Sequence, residues 1–232
     1  MDVKISPSMM CADLSRLGQQ IKELEEAGVD MFHWDIMDGL YVHNFALSPA
    51  IIAACRPYSQ LPFDVHLGIS DPAGFITEAA EAGADIISLQ LETTPHLHRA
   101  VRRIHALGKK AGVVVGPTTP LTFLETILDE LDMVTLMTVD VGFAGQSFIW
   151  PVLDKVCTLR RWVQERGLSL DIQVDGQINA STIASAVIAG ANVLVVGTSG
   201  LFAAMENLKE AVKGIRRRIT EAQEALRSAS TS

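Results

Sequence analysis

The sequence predicts an α/β protein folded as a single (β/α)8 TIM barrel. Three observations carry that expectation. Eight short β-rich runs alternate with longer amphipathic segments, several of those segments end on the same Ala-Gly-x-Asp/Asn tetrapeptide, and no linker or charge run divides the 232 residues. Strands that alternate with helices pair in parallel, and right-handed crossovers close such a sheet into a barrel. Barrels of this kind commonly need about 250 residues. A doubly wound open sheet is the alternative, but no GxGxxG fingerprint follows the first run.

In chain order, a β-rich run over 3–10 leads into an amphipathic helix over 14–27, which closes at Ala27-Gly28-Val29-Asp30. Glycine supplies the left-handed residue that ends a helix, and the chain then turns into its next strand. Runs over 31–38 and 63–69 follow, then a helix over 73–82 that closes at Ala82-Gly83-Ala84-Asp85. The fourth run is 86–92, followed by a helix over 95–107 and the fifth run over 111–116. The sixth run is 133–140, followed by a helix over 153–166 and the seventh run over 171–175. A helix over 181–189 closes at Ala189-Gly190-Ala191-Asn192 before the last run, 193–197. One domain is expected over 1–227, with a disordered tail over 228–232.

The net charge of −8 argues against a nucleic-acid surface but not against a phosphorylated substrate, which backbone amides can bind. Cys11, Cys55 and Cys157 are few, odd in number and far apart, so free thiols in a reducing, cytoplasmic setting are expected. The chain opens without a charged start followed by an apolar run. Residues 176–205 carry no charge, but their polar residues and glycines break them into pieces too short for a membrane span.

Chemistry in a barrel sits at the C-terminal ends of the strands. His33 and Asp35 lie two apart on one run and share a face. His66 lies toward the end of the third run and Asp175 ends the seventh. Each alone has an ordinary explanation: a chance HxD, a hydrogen-bonded core histidine, a turn aspartate. Together, His33, Asp35, His66 and Asp175 could hold one divalent ion and offer two carboxylates for proton transfer. Asp64 is expected to point into the barrel beneath His66, as a buried hydrogen-bond partner or as the orienter of a ligand.

Glycine-rich loops follow three adjacent strands. They are Gly142-Phe143-Ala144-Gly145, Gly176-Gln177 and Gly197-Thr198-Ser199, and their amides suit a phosphate. No lysine is expected at a strand's C-terminal end, so a Schiff-base aldolase lacks its nucleophile. No GxSxG is present either. Metal, paired carboxylates and phosphate together suit proton abstraction next to a carbonyl.

Over residues 3 to 220 the chain resembles the ribulose-phosphate 3-epimerase family. The resemblance rests on Ile5-Ser6-Pro7-Ser8, His33-Trp34-Asp35-Ile36-Met37-Asp38-Gly39, Asp64-Val65-His66-Leu67, Ala82-Gly83-Ala84-Asp85 and Val174-Asp175-Gly176-Gln177-Ile178-Asn179. The lysine pair in Gly108-Lys109-Lys110-Ala111-Gly112-Val113 and the stretch 142–148 add to it. Ala46-Leu47-Ser48-Pro49, Met137-Thr138-Val139-Asp140, Phe143-Ala144-Gly145-Gln146 and the stretch 196–202 are similar to the D-allulose-6-phosphate 3-epimerase branch. The resemblance implies a barrel of the ribulose-phosphate-binding type and a homo-oligomer. It implies one divalent ion (Zn, Mn, Fe(II), Co or Mg) on His33, Asp35, His66 and Asp175. Asp35 and Asp175 would be the acid/base pair that inverts C3 through a cis-enediolate. Ser8, with His66, would contact substrate, the three glycine loops would hold phosphate, and Met37 and Met137 would lie over the intermediate.

The expected pair is D-allulose 6-phosphate and D-fructose 6-phosphate, with D-ribulose 5-phosphate and D-xylulose 5-phosphate as the alternative. A catalytically weak phosphosugar-binding barrel is a further alternative. A decarboxylase is disfavoured because Asp35-Ile36-Met37-Asp38 has no lysine. The chain departs from the family pattern at His43 and Val141 (usually Pro), Gly68 (usually Met), Gln90 (usually His) and Gly116 (usually Asn), and at Gln177 in place of a small residue. Gly68 and Gly116 are expected to enlarge the pocket, and Gln90 and His43 to change its hydrogen bonding.

Overall fold

Eight strands pair in parallel in the order 1-8-7-6-5-4-3-2. They are β1 (Lys4–Pro7), β2 (Phe32–Met37), β3 (Phe63–Gly68), β4 (Ile86–Gln90), β5 (Lys110–Val115), β6 (Met133–Met137), β7 (Asp171–Asp175) and β8 (Val193–Val196). The computed structural model describes residues 2–204 and 207–230. The seam between β1 and β2 is closed by one parallel bridge, Ser8 to His33. Wrapped outside are α1 (Leu17–Ala27), α2 (Pro49–Cys55), α3 (Ile76–Glu81), α4 (Leu97–Ala106), α5 (Val152–Glu165), α6 (Ile183–Ala189) and α7 (Leu208–Ser230). Between β5 and β6 the crossover is made by two short 3-10 turns in place of an α-helix. Together these elements form a (β/α)8 barrel.

Several limits differ from those the sequence suggests. The first strand stops at Pro7, whose successors wind into a 3-10 turn, Met9–Cys11. The third helix begins only at Ile76, because Asp71 caps a 3-10 turn over Pro72–Phe75 through Gly74 N. The last helix runs through Ser230, so residues 228–230, expected to be disordered, are helical, and Ser228 Oγ donates to Glu224 O. Thr231 and Ser232 lie outside the described residues.

The recurring Ala-Gly-x-Asp/Asn tetrapeptide has a second use besides ending helices. Its last residue accepts a backbone N–H from the start of the preceding strand: Ile5 N to Asp30, Phe63 N to Asp85, Ile172 N to Asn192. Asp132 does the same for Ala111 N. Each acceptor is also met by a donor from the outer ring: Arg216 on Asp30, Arg56 on Asp85, His105 on Asp132, Arg160 on Asn192. Every even-numbered strand is thus tied to the odd-numbered strand before it in sequence at the N-terminal end of the barrel, the end that serves stability rather than chemistry.

Inside the barrel, Met31, Ile86, Met133 and Val193 form an apolar floor contributed by the even-numbered strands. Above it the filling turns polar. Asp64 accepts from Ser88 Oγ at 2.6 Å, and Thr135 Oγ1 donates to Gln173 at 2.7 Å. These pairings make burial of the oxygens tolerable, while Gln173 Nε2 is left without a partner. Their strand registers decide which side chains meet at the mouth above.

Candidate metal and acid/base site

The β2/β3 register sets Asp35 opposite His66 and His33 opposite Asp64, all pointing inward. The β6/β7 register sets Met137 beside Asp175. Because β2 and β7 stand apart around the barrel, their carboxylates enter the mouth from different sides. Both line one cleft at the barrel mouth. Ser8, Met37, His66 and Met137 line it too, with the loops Gly142-Phe143-Ala144-Gly145, Gly176-Gln177 and Gly197-Thr198-Ser199. His33 lies behind its wall, with no exposed surface.

His33 Nδ1 is 2.8 Å from Asp64 Oδ2, which can only accept, so that ring nitrogen carries the hydrogen. His66 Nε2 is 2.8 Å from Gln90 Oε1, an acceptor as well. The other nitrogen of each ring, His33 Nε2 at 3.2 Å and His66 Nδ1 at 3.0 Å, faces the same oxygen, Asp35 Oδ1. In neutral rings these are lone pairs aimed at a carboxylate, an arrangement that repels unless a cation sits among them. Asp175 Oδ2 lies 3.8 Å from His33 Nε2. Metal bonds of about 2.1 Å place neighbouring tetrahedral ligand atoms ~3.4 Å apart, in the same range. His33, Asp35 and His66 therefore form a cluster that fits a divalent ion, with nitrogen and oxygen donors and imidazoles already oriented from behind.

Without an ion, the charges of the site lean on one another. Burial works to raise the Asp35 carboxyl, but the imidazoles of His33 and His66 outweigh it and hold it far below the usual carboxylate range. Burial works to lower His33, yet Asp35 and Asp64 raise it well above an ordinary imidazole. Asp175 is pushed up to about 6, by burial first and then by the Asp35 charge. Ser8 Oγ donates to Asp35 Oδ2 at 3.0 Å, across the barrel seam.

Asp64, expected as a buried hydrogen-bond partner or as the orienter of a ligand, is set by the register beside His33, whose ring it orients. Gly68, Gln90, Gly116 and His43 are absent from the cleft lining. Gly68 lies against the His66 ring, and the space beside Gly116 is taken by the Glu92 carboxylate. Val141 and Gln177 are the departures that do line it. Gln177, at φ 52°, is the only non-glycine residue in the left-handed region among the described residues. Its carbonyl accepts from Thr182 Oγ1, and its side-chain oxygen accepts from Ser199 Oγ, joining the loops after β7 and β8. Lys155 reaches the loops at the C-terminal end of the barrel from α5, but its ammonium donates to the carbonyls of Gly116, Pro117 and Thr119 rather than to the cleft.

Two residues escaped the sequence reading. Asp38 accepts from Leu40 N, Tyr41 N, Ser70 N and Ser70 Oγ, and so ties the loop after β2 to the loop after β3. An aspartate followed by glycine at a strand end was its only signal. Glu92 holds Gln90 from behind, and nothing local in the sequence announces it.

Fold and site together define a (β/α)8-barrel enzyme with a His–Asp–His cluster able to hold a metal ion at its mouth. The model of the ribulose-phosphate 3 epimerase family matches residues 4–202. The chain is 46% identical to the ribulose-phosphate 3-epimerase of Synechocystis sp., covering 93% of this chain and 94% of the relative. It is 46% identical to that of Bacillus subtilis, covering 85% and 91%. Among solved structures, KGPDC from Streptococcus mutans superposes with a TM-score of 0.72 at 16% identity, covering 95% of this chain and 98% of that one. That likeness speaks for the fold alone. The chain belongs to the ribulose-phosphate 3-epimerase family, and is an isomerase that acts as a sugar-phosphate epimerase. No helix among the described residues is long and apolar enough to cross a membrane.

Proposed function

We propose that the chain is a metal-dependent 3-epimerase of a ketose phosphate, and that its pair is D-ribulose 5-phosphate and D-xylulose 5-phosphate. The observation that carries the reaction is the meeting of two imidazole lone pairs on Asp35 Oδ1, with Asp175 entering the same cleft from another strand. His33, Asp35, His66 and Asp175 are the ligands in this reading. When bound, the ion supplies positive charge beside the oxygens of the enediolate. Asp35, held ionised, takes the C3 proton from one face, and Asp175 delivers a proton from the other. In the reverse direction the two exchange roles. Ser8 holds Asp35 in place through Oδ2. The loops at Gly142, Gly176 and Gly197 bind the phosphate and so fix C3 between the carboxylates. Met37 and Met137 supply an apolar wall that keeps water from the intermediate.

The pentulose pair is supported by relatives 46% identical whose names carry ribulose phosphate. The D-allulose 6-phosphate and D-fructose 6-phosphate pair, placed first on sequence motifs, is the competing reading. It retains Val141 and Gln177 in the cleft wall as its structural basis.

The test is C3 proton exchange in D2O, followed by NMR with each ketose phosphate offered separately. Metal-loaded protein should exchange, and chelated protein and Asp175→Asn should not. The faster ketose ranks the substrates. Absence of exchange with every ketose phosphate would leave a binding barrel and overturn the proposal.

A further inference from the structure

Two positions at which the chain departs from the family pattern, Gly68 and Gln90, lie against the His66 imidazole, and a third, Gly116, is joined to them through Glu92. His66 Nε2 is 2.8 Å from Gln90 Oε1. The Gln90 amide nitrogen donates in turn to Glu92 Oε2. Glu92 Oε1 accepts from Gly116 N at 2.8 Å and from the Thr119 hydroxyl. The loop that carries Gly116 and Thr119 is pinned by Lys155, whose ammonium donates to three of its carbonyls.

Donor and acceptor logic runs through this chain in one direction. A carboxylate only accepts, so Glu92 obliges Gln90 to turn its NH2 outward and its oxygen toward His66. An amide oxygen also only accepts, so the His66 Nε2 must carry the hydrogen. That leaves Nδ1 with its lone pair, 3.0 Å from Asp35 Oδ1 and inside the cluster. Burial works to raise the Glu92 carboxyl, but the hydrogen bonds from Thr119 and Gln90 keep it below its ordinary value, hence ionised. Gly116 is part of the device. A Cβ there would stand 2.8 Å from Glu92 Oε1, so any side chain displaces the carboxylate. Gly68 leaves the His66 ring free to seat, since a Cβ there would come within 3.3 Å of Cε1.

We propose that Gln90 and Glu92 are positioning residues that fix His66 as the Nε2–H tautomer and aim its Nδ1 lone pair into the metal site. The proposal rests on the metal-site reading. His33 obtains the same result more simply, from Asp64 directly. The two imidazoles are thus oriented by different chemistry: a charged acceptor behind His33, and a neutral amide backed by a carboxylate behind His66.

The test is ring-nitrogen NMR on 15N-histidine protein loaded with Zn, with metal-free protein measured alongside. Zn titration by calorimetry and a melting curve accompany it. Zn-loaded wild type should show His66 with a protonated Nε2 and the Nδ1 signal shifted by the metal. Gln90→Leu should mix the two tautomers of His66, leave the His33 pattern unchanged, and weaken Zn binding about 10–100-fold. Glu92→Gln, which lets the Gln90 amide turn over, should do the same to a smaller extent. Gly116→Ala should imitate Glu92→Gln although it changes no polar group. A wild-type His66 protonated at Nδ1 would overturn the proposal. So would a Gln90→Leu protein with a lowered melting point but unchanged tautomer and Zn affinity, since Gln90 would then be structural only. If wild type bound no divalent ion, the proposed function would fall, while the tautomer comparison on the metal-free protein would still decide this inference.

Discussion

Replacing Asp175 by Asn should abolish the reaction and yet stabilise the metal-free fold. The carboxyl is pushed up to about 6 from an ordinary 3.8, by burial and by the Asp35 charge. Its approach to His33 Nε2 at 3.8 Å is too long for a hydrogen bond. The folded state therefore binds the Asp175 proton more tightly than the unfolded chain does. Stability from this group is fully present below pH ~3.8 and is lost as pH rises through about 6; above that the ionised carboxylate is a burden. At 1.36 kcal/mol per tenfold, the interval amounts to ~3 kcal/mol. The side chain keeps 15% of its surface in contact with solvent, which screens part of this and leaves ~1–2 kcal/mol. Asn keeps the shape and removes the charge. Chelated Asp175→Asn should thus exceed chelated wild type by ~1–2 kcal/mol at pH ~8, with the gap closing toward pH ~4. Urea melts at several pH values read the gap directly. Activity should fall by about 10²–10⁴-fold, as for loss of a general acid/base. The reasoning is refuted if the chelated variant is less stable than wild type at pH ~8, or if the gap does not change with pH.

Three further outcomes follow from the same contacts. Divalent-ion affinity should fall with falling pH, by about tenfold per pH unit while His33 is protonated, because its raised proton affinity competes with the metal; titrations at pH ~6 and ~8 read this. Ser8→Ala removes the 3.0 Å donor to Asp35 Oδ2 and should cost ~1–2 kcal/mol of stability. Turnover should drop while Zn affinity is nearly unchanged, since Asp35 Oδ1 keeps its partners. Asp38→Ala frees four donors between the loops after β2 and β3 and should cost ~1–2 kcal/mol. Burial works to raise this carboxyl, but the Ser70, Leu40 and Tyr41 donors hold it well below its ordinary value. Its contribution is therefore present above pH ~3.8 and lost only as pH falls further, and KM should rise more than kcat falls.

The alternation of eight β-rich runs with helices was enough to specify the barrel, because parallel strands joined by helical crossovers have few other ways to bury both faces. The same reading placed His33 and Asp35 on one face and His66 and Asp175 toward strand ends, since a period of two and a strand limit are local properties. It overlooked α2, whose seven residues begin with Pro49 and are too few to show a helical period. It extended β1 and β6 too far, because apolar residues such as Met9 and Val139 continue past the last ladder pair. What the local pattern could not hold was partnership across the barrel. Asp64 lies two residues from His66 in sequence, but the β2/β3 register gives it to His33. Gly68 and Gly116, read as open space, sit against His66 and Glu92, because residues far apart in the chain fill the room a missing side chain leaves. The sequence by itself determined which strands exist and which residues reach the mouth. Only the tertiary structure decided which lone pair faces which acceptor, because hydrogen-bond direction depends on strand register and on side chains from three or four elements at once.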